Sequence, residues 1–245
     1  MKQSLFTMEH ARQLTADTYE LVLSGDTSAI TAPGQFVNIQ LPGKFLRRPI
    51  SICNWTKDAL LLLVRVVGEG THDLVRCVPG TELDVLSGLG NGFDLAKGGA
   101  HPILLGGGIG IAPLYGLAQR MLEAGIAPTV GLGFRSGGDA FYLEEFGKLG
   151  CRLMVATEDG SLGTKGFVTD LARHVPECGY AFVCGPTPML KAVHGLPQLT
   201  GGQFSFEARM GCGFGGCMGC SCKTLTGNKR ICREGPVLLK EEILW

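Results

Sequence analysis

The chain has 245 residues, enough for one large domain or two ordinary ones with a small appendage. Hydrophobic residues make up 45% of it and charged residues 18%, so a packed core is expected. Lys plus Arg and Asp plus Glu both number 22, which argues against nucleic acid or an anionic membrane as the main partner, because both reward a basic surplus.

The N-terminal stretch MKQSLFTMEHARQL has no long apolar run and no small-residue cleavage site, so it does not read as a secretory signal. No stretch approaches ~18 uninterrupted apolar residues, and no transmembrane helix is predicted. A cytoplasmic protein is expected. In a reducing cytosol, clustered cysteines more often hold metal than form disulfides.

Residues 1–97 read as β-rich. Short apolar or alternating runs at 18–25, 34–41, 47–53, 59–67 and 81–90 are separated by Pro, Gly, Asp or Asn, and this spacing predicts a small antiparallel barrel or sandwich. Within it, Arg47 and Arg48 precede Pro49 and Ile50, and Ser51 then interrupts an apolar strand. An arginine there can hold a phosphate through two parallel hydrogen bonds; a surface arginine pair is the plainer alternative. The stretch VRVVGEGT reads as a further strand ending in Gly70 and Thr71, a second possible phosphate contact.

The pattern changes near Gly98–Gly99. HPILLGGGIGIAPLYGLAQRMLEAG is a buried strand, a glycine turn and an amphipathic helix, with Pro113 at a first helical turn, where proline is favoured. Strand and helix then alternate through PTVGLGFRS, DAFYLEEFGKLG, RLMVATEDG, FVTDLARHV and YAFVCGPTPML, which predicts a Rossmann-like parallel α/β sheet over 98–200. Gly106, Gly107, Gly108 and Gly110 allow backbone to approach a pyrophosphate at a helix N-terminus. The match to G-x-G-x-x-G is not strict, and a tight turn without ligand is the alternative. Cys184 sits at a second strand end, where ligands of open α/β sheets bind; a small buried core residue is the competing reading. Glu158 and Asp159 are expected in a solvated loop, with a place near the nucleotide as the alternative.

Residues 201–245 hold GCGFGGCMGCSCKTLTGNKRICREG. The spacing Cys212-x4-Cys217-x2-Cys220, with a distant fourth cysteine, is the plant-type pattern for a [2Fe–2S] cluster. Glycines at 213, 215, 216 and 219 remove bulk and let backbone N–H groups point at cluster sulfurs. Cys232 is favoured as the fourth ligand, with Cys222 as its competitor. The competing readings are a structural zinc site and a disulfide pair; four-cysteine zinc sites usually show two separated CxxC knuckles, and here only Cys217 and Cys220 make one.

Together these motifs resemble the ferredoxin–NADP(+) reductase superfamily. In that superfamily an R-x-[YP]-[ST] strand and a glycine–Ser/Thr turn bind FAD on a β-barrel, and GGxGxxP and CGPxPM turns bind the nicotinamide nucleotide. GFRSGGDAFYLEEF also resembles a superfamily stretch. The cysteine segment, the LGNGF motif (Leu89–Phe93) and the domain order narrow the resemblance to the electron-transfer subunits of type 1B dihydroorotate dehydrogenases, over the whole chain.

That resemblance implies FAD contacts at Arg48, Pro49, Ile50, Ser51, Leu63, Val64, Arg65, Gly70 and Thr71. It implies NAD contacts at Gly106, Gly107, Gly108, Gly110, Pro113, Cys184, Gly185 and Pro186, and cluster ligands at Cys212, Cys217, Cys220 and Cys232. It implies an FMN-containing dihydroorotate dehydrogenase catalytic subunit as partner, in a heterotetramer of two copies of each chain. Electrons would run from that FMN through the cluster and FAD to NAD(+), in pyrimidine biosynthesis. NADH-dependent ferredoxin:NADP(+) oxidoreductases and some cytoplasmic hydrogenases contain related subunits. A non-catalytic, zinc-bearing interaction module is the alternative from a different class. Whether the nucleotide is NAD or NADP is left open by Arg135.

Overall fold

A computed structural model describes residues Met1–Trp245. The first part holds β1 (Lys2–Gln13), β2 (Thr18–Gly25), β3 (Phe36–Ile39), β4 (Arg48–Trp55), β5 (Ala59–Arg65), α1 (Glu69–Val75) and β6 (Glu82–Leu89). Its six strands close into an antiparallel barrel in the order β1-β2-β5-β4-β3-β6. Closure follows from alternation: β6 turns Leu83 and Val85 inward and leaves Glu82 outside. A closed barrel has no unpaired edge.

Two features of this part were not expected. Strand β1 buries only Phe6 and Met8, so no apolar run marks it; its pairing with both β2 and β6 holds it in place. The expected strand over VRVVGEGT is corrected: β5 stops at Arg65, and Gly70 and Thr71 open α1 instead. The Thr71 hydroxyl accepts from the backbone N–H of Val67 (2.9 Å) and Gly68 (3.3 Å), satisfying donors freed where the strand ends.

The second part holds β7 (Ile103–Gly107), α2 (Ala112–Glu123), β8 (Thr129–Phe134), α3 (Leu143–Lys148), β9 (Arg152–Thr157), β10 (Thr164–Lys165), α4 (Val168–Arg173), β11 (Tyr180–Cys184), α5 (Thr187–His194) and β12 (Gly201–Ser205). The cysteine region follows, with β13 (Ser221–Thr224), β14 (Gly227–Arg230) and β15 (Val237–Leu239). The sheet order is β10-β9-β8-β7-β11-β12-β15, parallel up to β12. The sheet runs on past residue 200, the expected start of the cysteine segment. β12 pairs in parallel with β11, and β15 returns antiparallel beside β12. The cysteine region is therefore an insertion between two neighbouring strands of the nucleotide sheet.

The barrel and the sheet share a core: Cys53 and Leu63 of the barrel lie in one buried cluster with Leu114, Leu117 and Phe146. Helix α2 lies on β4 so closely that a Cβ at Gly116 would stand 2.5 Å from the Cys53 carbonyl oxygen. Beside it, Asn54 donates to Gln119 (2.7 Å) and accepts from Arg120 (2.9 Å), and the Arg120 guanidinium lies 3.5 Å over the Trp55 ring. A second tie joins β2 to the residue before α3. Tyr142 Oη donates to Glu20 Oε2 at 2.6 Å, and Arg12 donates to both Glu20 oxygens at 3.0 and 3.1 Å. Tyr142 takes φ 64°, a left-handed conformation uncommon outside glycine, and the phenol–carboxylate bond helps hold it there.

Burial raises the Glu20 pKa, but its bonds from Arg12 and Tyr142 outweigh that and leave it below the ordinary glutamate value. A depressed carboxylate contributes stability that is complete above its unfolded pKa and is lost as pH falls through its folded one. The melting-temperature gap between wild type and Glu20→Gln is therefore expected to be constant near neutrality and to shrink below about pH 4.3. A gap that persists unchanged to pH 3 removes the carboxylate from the interface's stability. For Gly116→Ala, helix propensity alone predicts a gain of about 1 kcal/mol. The contact with the Cys53 carbonyl reverses that sign, and a net loss of about 1–3 kcal/mol is expected in urea denaturation.

Candidate functional site

The two glycine turns predicted to meet a nucleotide stand side by side, because β7 and β11 are adjacent and parallel, with Gly106 opposite Cys184. A Cβ on Gly110 would lie 2.5 Å from the Cys184 carbonyl oxygen, and one on Gly107 would lie 2.4 Å from Met189 Sδ. Gly108 differs: at φ 53° it faces open space. Beyond these turns a cleft of about 520 Å³ runs along the carboxyl ends of the strands and reaches the barrel at Asp17, Thr18 and Arg65. Its size and position are those of a nucleotide site in an open α/β sheet.

Of the residues predicted for the nucleotide, Gly107, Gly108 and Pro186 line this cleft. Gly106, Gly110, Pro113, Cys184 and Gly185 are buried behind it and shape the turns. Burial, with the nearby Glu207 carboxylate adding to it, pushes the Cys184 thiol up to about 12, so it is a neutral group near pH 7. Glu158 is exposed, as expected of a solvated loop, and lies along the cleft together with Arg135, Asp139 and Phe141.

On the barrel, the structure separates the two arginines. Arg47 is used within the barrel, donating to both Asp84 carboxylate oxygens at 3.1 and 2.8 Å. Arg48 is half-buried and crosses directly over Gly70, where a Cβ would come within 1.8 Å of its Nε. The fold thus joins Arg48 to the Gly70–Thr71 turn. Ser51 is half-buried and Pro49 exposed, whereas Ile50 belongs to the barrel core. Of the strand expected to follow in the FAD site, Leu63 packs in the shared core and Val64 inside the barrel, so it is the strand's backbone that is free to meet a ligand. Arg65 faces the cleft and pairs with Asp17 at 2.7 Å.

The cysteines gather at the rim of the barrel. Asn38 of β3 donates to the Cys212 carbonyl at 3.1 Å, and Gly213 packs on the same side chain. The side chains of Cys212 and Cys217 are neighbours, as are those of Cys220 and Cys232. No three histidine, cysteine or carboxylate side chains converge on one point, and the four thiols stand as two pairs. All ten cysteines are free of disulfides. Backbone N–H groups point at the sulfurs: Gly216 and Cys217 at Cys212 (3.2 and 3.4 Å), Gly219 at Cys217 (3.5 Å), and Cys232 at Cys220 (3.4 Å). Burial raises the Cys212 thiol, but the N–H groups of Cys217, Phe214 and Gly216 outweigh it and bring it to about 6. This is a thiolate-stabilising donor set, and it fits an anionic metal cluster. Cys222 lies on β13 opposite Lys229 and packs against the core, where burial raises its thiol.

Two asparagines whose roles could not be read from the sequence hold this region. Besides Asn38, Asn91 of the LGNGF motif donates to the carbonyls of Glu234 (3.1 Å) and Val237 (2.8 Å) and accepts from the Val237 N–H (3.1 Å). It pins the exit of the cysteine insertion to the barrel. Arg230 donates to the Gly215 carbonyl at 2.8 Å and closes the loop from the other side.

An antiparallel barrel packed on a nucleotide sheet, with a thiolate-stabilising cysteine insertion between them, defines an oxidoreductase of the ferredoxin-reductase fold that carries an iron–sulfur segment. Residues 104–195 match the family model of an oxidoreductase NAD-binding domain, and residues 207–244 match the iron–sulfur cluster binding domain of dihydroorotate dehydrogenase B. The electron transfer subunit of dihydroorotate dehydrogenase B (NAD(+)) from Shouchella clausii is 41% identical, with the alignment covering 99% of this chain and 98% of that protein. Its counterpart from Listeria monocytogenes serovar 1/2a is 39% identical, over 99% of each chain. Among solved structures, a chain of the NADH-dependent reduced ferredoxin-NADP oxidoreductase superposes with TM-score 0.89 at 29% identity, over 98% of this chain and 90% of that one. A Neisseria gonorrhoeae ferredoxin NADP+ reductase with bound FAD and NADP shares the fold, with TM-score 0.67 at 15% identity over 79% of this chain and 89% of that one. The chain belongs to the family of dihydroorotate dehydrogenase B electron transfer subunits.

Cys232 and Cys222 make different predictions. Cys232→Ser is expected to lose at least half of the bound iron and acid-labile sulfide, whereas Cys222→Ser is expected to keep both. Iron and sulfide assays on anaerobically purified protein, with electron paramagnetic resonance of the reduced form, decide between them; the opposite pattern would assign the fourth ligand to Cys222.

Proposed function

We propose that the chain acts as the electron-transfer subunit of an NAD-dependent dihydroorotate dehydrogenase, relaying electrons from a catalytic partner subunit to NAD(+). The observation that carries this reading is the placement of the two thiol pairs, held between the flavin-type barrel and the nucleotide sheet by Asn38 and Asn91. When bound, a [2Fe–2S] cluster handles single electrons and FAD converts them to the two-electron exchange a nicotinamide requires, chemistry that belongs to the cofactors.

The chain's own residues supply position and charge. Arg48, set over Gly70, is placed to hold the flavin pyrophosphate with the Thr71 turn, and Pro49 and Ser51 present the outer face of β4 to the ring system. Gly107 and Gly108 bring backbone close to the dinucleotide pyrophosphate, and Pro186 walls the nicotinamide end. Cys212, Cys217, Cys220 and Cys232 are the cluster ligands, with backbone N–H groups offsetting the cluster's charge. In these terms residues 1–97 form the FAD unit. The nucleotide unit runs from 98 through β12 and takes back β15, and the cluster unit is the insertion between those strands.

The homologues are electron transfer subunits, which entails a catalytic partner. In this reading the partner carries FMN, and two copies of each chain assemble. Cys217 is exposed, and so are its neighbours Phe214 and Met218 at 43% and 56%, so the cluster loop is where the partner approaches. The molecule has no helix long and apolar enough to cross a membrane.

A second reading keeps the cofactors and changes the partner, as in the NADH-dependent reduced ferredoxin-NADP oxidoreductase whose chain superposes over 98% of this one. The deciding experiment is to tag the chain in its native host, purify it anaerobically and identify its stoichiometric companion by mass spectrometry. An FMN dihydroorotate dehydrogenase subunit is expected. A larger multi-cluster oxidoreductase or hydrogenase chain would replace this reading with the second, and a colourless, zinc-loaded preparation would remove both.

A further inference from the structure

The cleft continues past the glycine turns to the ends of β8 and β9, where Arg135, Asp139 and Glu158 line it. With a pyrophosphate on the Gly107–Gly108 turn after β7, the adenosine ribose falls toward the next strand, β8, since paired strands lie about 4.8 Å apart. Arg135 is the first residue beyond β8. An arginine at such a point is what a ribose 2′-phosphate requires, while a carboxylate there suits the free 2′-hydroxyl of NAD.

This arginine is already engaged. Arg135 Nη2 donates to Asp139 Oδ1 at 3.0 Å, and Ser136 Oγ donates to Asp139 Oδ2 at 3.0 Å. Both carboxylate oxygens are thus occupied from within the loop, which fixes the Asp139 side chain at the cleft wall. The loop is anchored in turn to the end of β9. Gly137 N–H donates to Ser161 Oγ (2.7 Å), and the N–H groups of Glu158 and Asp159 donate to the carbonyls of Phe134 (3.1 Å) and Arg135 (3.3 Å). Glu158 is held beside the pair by these bonds. The wall at this end carries one cation and two carboxylates, a net negative charge.

We infer that Asp139 sets the preference for NAD(H) over NADP(H), by occupying Arg135 and, with Glu158, presenting a negative wall to the ribose 2′ position. This inference rests on the reading of the cleft as the nucleotide site. A 2′-phosphate brings close to two negative charges against that wall and finds its natural partner already bound. The Arg135–Asp139 pair is 66% and 33% exposed, so it is weak as an ion pair. Its influence on the nucleotide comes from the sign of the wall, and the effect is on the order of tenfold rather than thousands.

The test is made on the cofactor-loaded protein in complex with its partner, with flavin absorbance confirming each variant's loading. Steady-state kinetics with ferricyanide as acceptor give kcat/KM for NADH and for NADPH. In Asp139→Asn the NADPH to NADH ratio of kcat/KM is expected to rise about tenfold, mainly through KM, since the contact is remote from the reacting carbon. Asp139→Glu is expected to keep the wild-type preference, and adding Arg135→Ala to Asp139→Asn is expected to cancel the gain for NADPH. A ratio in Asp139→Asn that rises less than threefold while NADH is still oxidised overturns the inference, as does a gain that survives loss of Arg135. If wild-type protein with bound flavin fails to oxidise NADH, the nucleotide reading of the cleft falls first and takes the inference with it.

Discussion

The contact that everything else depends on is the seat of α2 against β4, where Gly116 meets the Cys53 carbonyl. Strand β4 begins with Arg48 and carries the outer face that includes Ser51. Helix α2 begins at the glycine turn that ends β7. One packing contact therefore fixes the flavin half of the molecule against the nucleotide half. Hydride exchange tolerates little error, because a misplacement of about 1 Å can cost on the order of a hundredfold in rate. A side chain at 116 would separate these elements, and the polar contacts of Asn54, Gln119 and Arg120 around it leave little room for sliding. The Glu20–Tyr142 bond adds a second tie beside the first, because the Tyr142 ring packs edge-on against Tyr115 of α2.

Much of this arrangement was legible in the residues, for reasons that can be named. The glycine turns could be read because a backbone that must pass within contact distance of another backbone excludes every side chain, as at Gly110 against Cys184. The cysteine insertion could be read because cluster ligation demands fixed spacing. The βα alternation could be read because its strands are buried on both faces. Strand β1 escaped because a strand held by ladders on both sides needs little apolar content. Helix α1 escaped because glycine and threonine open helices as readily as they end strands. Strands β12 and β15 escaped because both are short and the cysteine motif dominates the sequence around them.

The ties that orient the parts were beyond reach for a different reason. Asn38 and Cys212 lie 174 residues apart, and Glu20 and Tyr142 lie 122 apart. A single asparagine or glutamate carries no periodic signal, and its partner is chosen only when the chain closes. The same holds for Arg47 and Arg48, adjacent and chemically identical, one absorbed into the barrel by Asp84 and the other set over Gly70. Positions 63 and 64 show alternation at work: neighbouring residues on a strand point to opposite faces, and here both faces are core.

The return of the chain as β15 makes the metal centre inseparable from the sheet. An appendage at the end of a protein can be lost and leave a folded remainder. Here a chain cut before the cysteines loses the strand that covers β12, and a chain whose insertion fails to close leaves β15 without a fixed path back to its partner. In either case β12 becomes an open edge with unpaired N–H and C=O groups, the surface through which sheet proteins stick to one another. The strand that covers the edge of the nucleotide sheet is thus reached only by way of the cysteine insertion, so an error of closure among the cysteines is felt as an exposed ladder some distance from them.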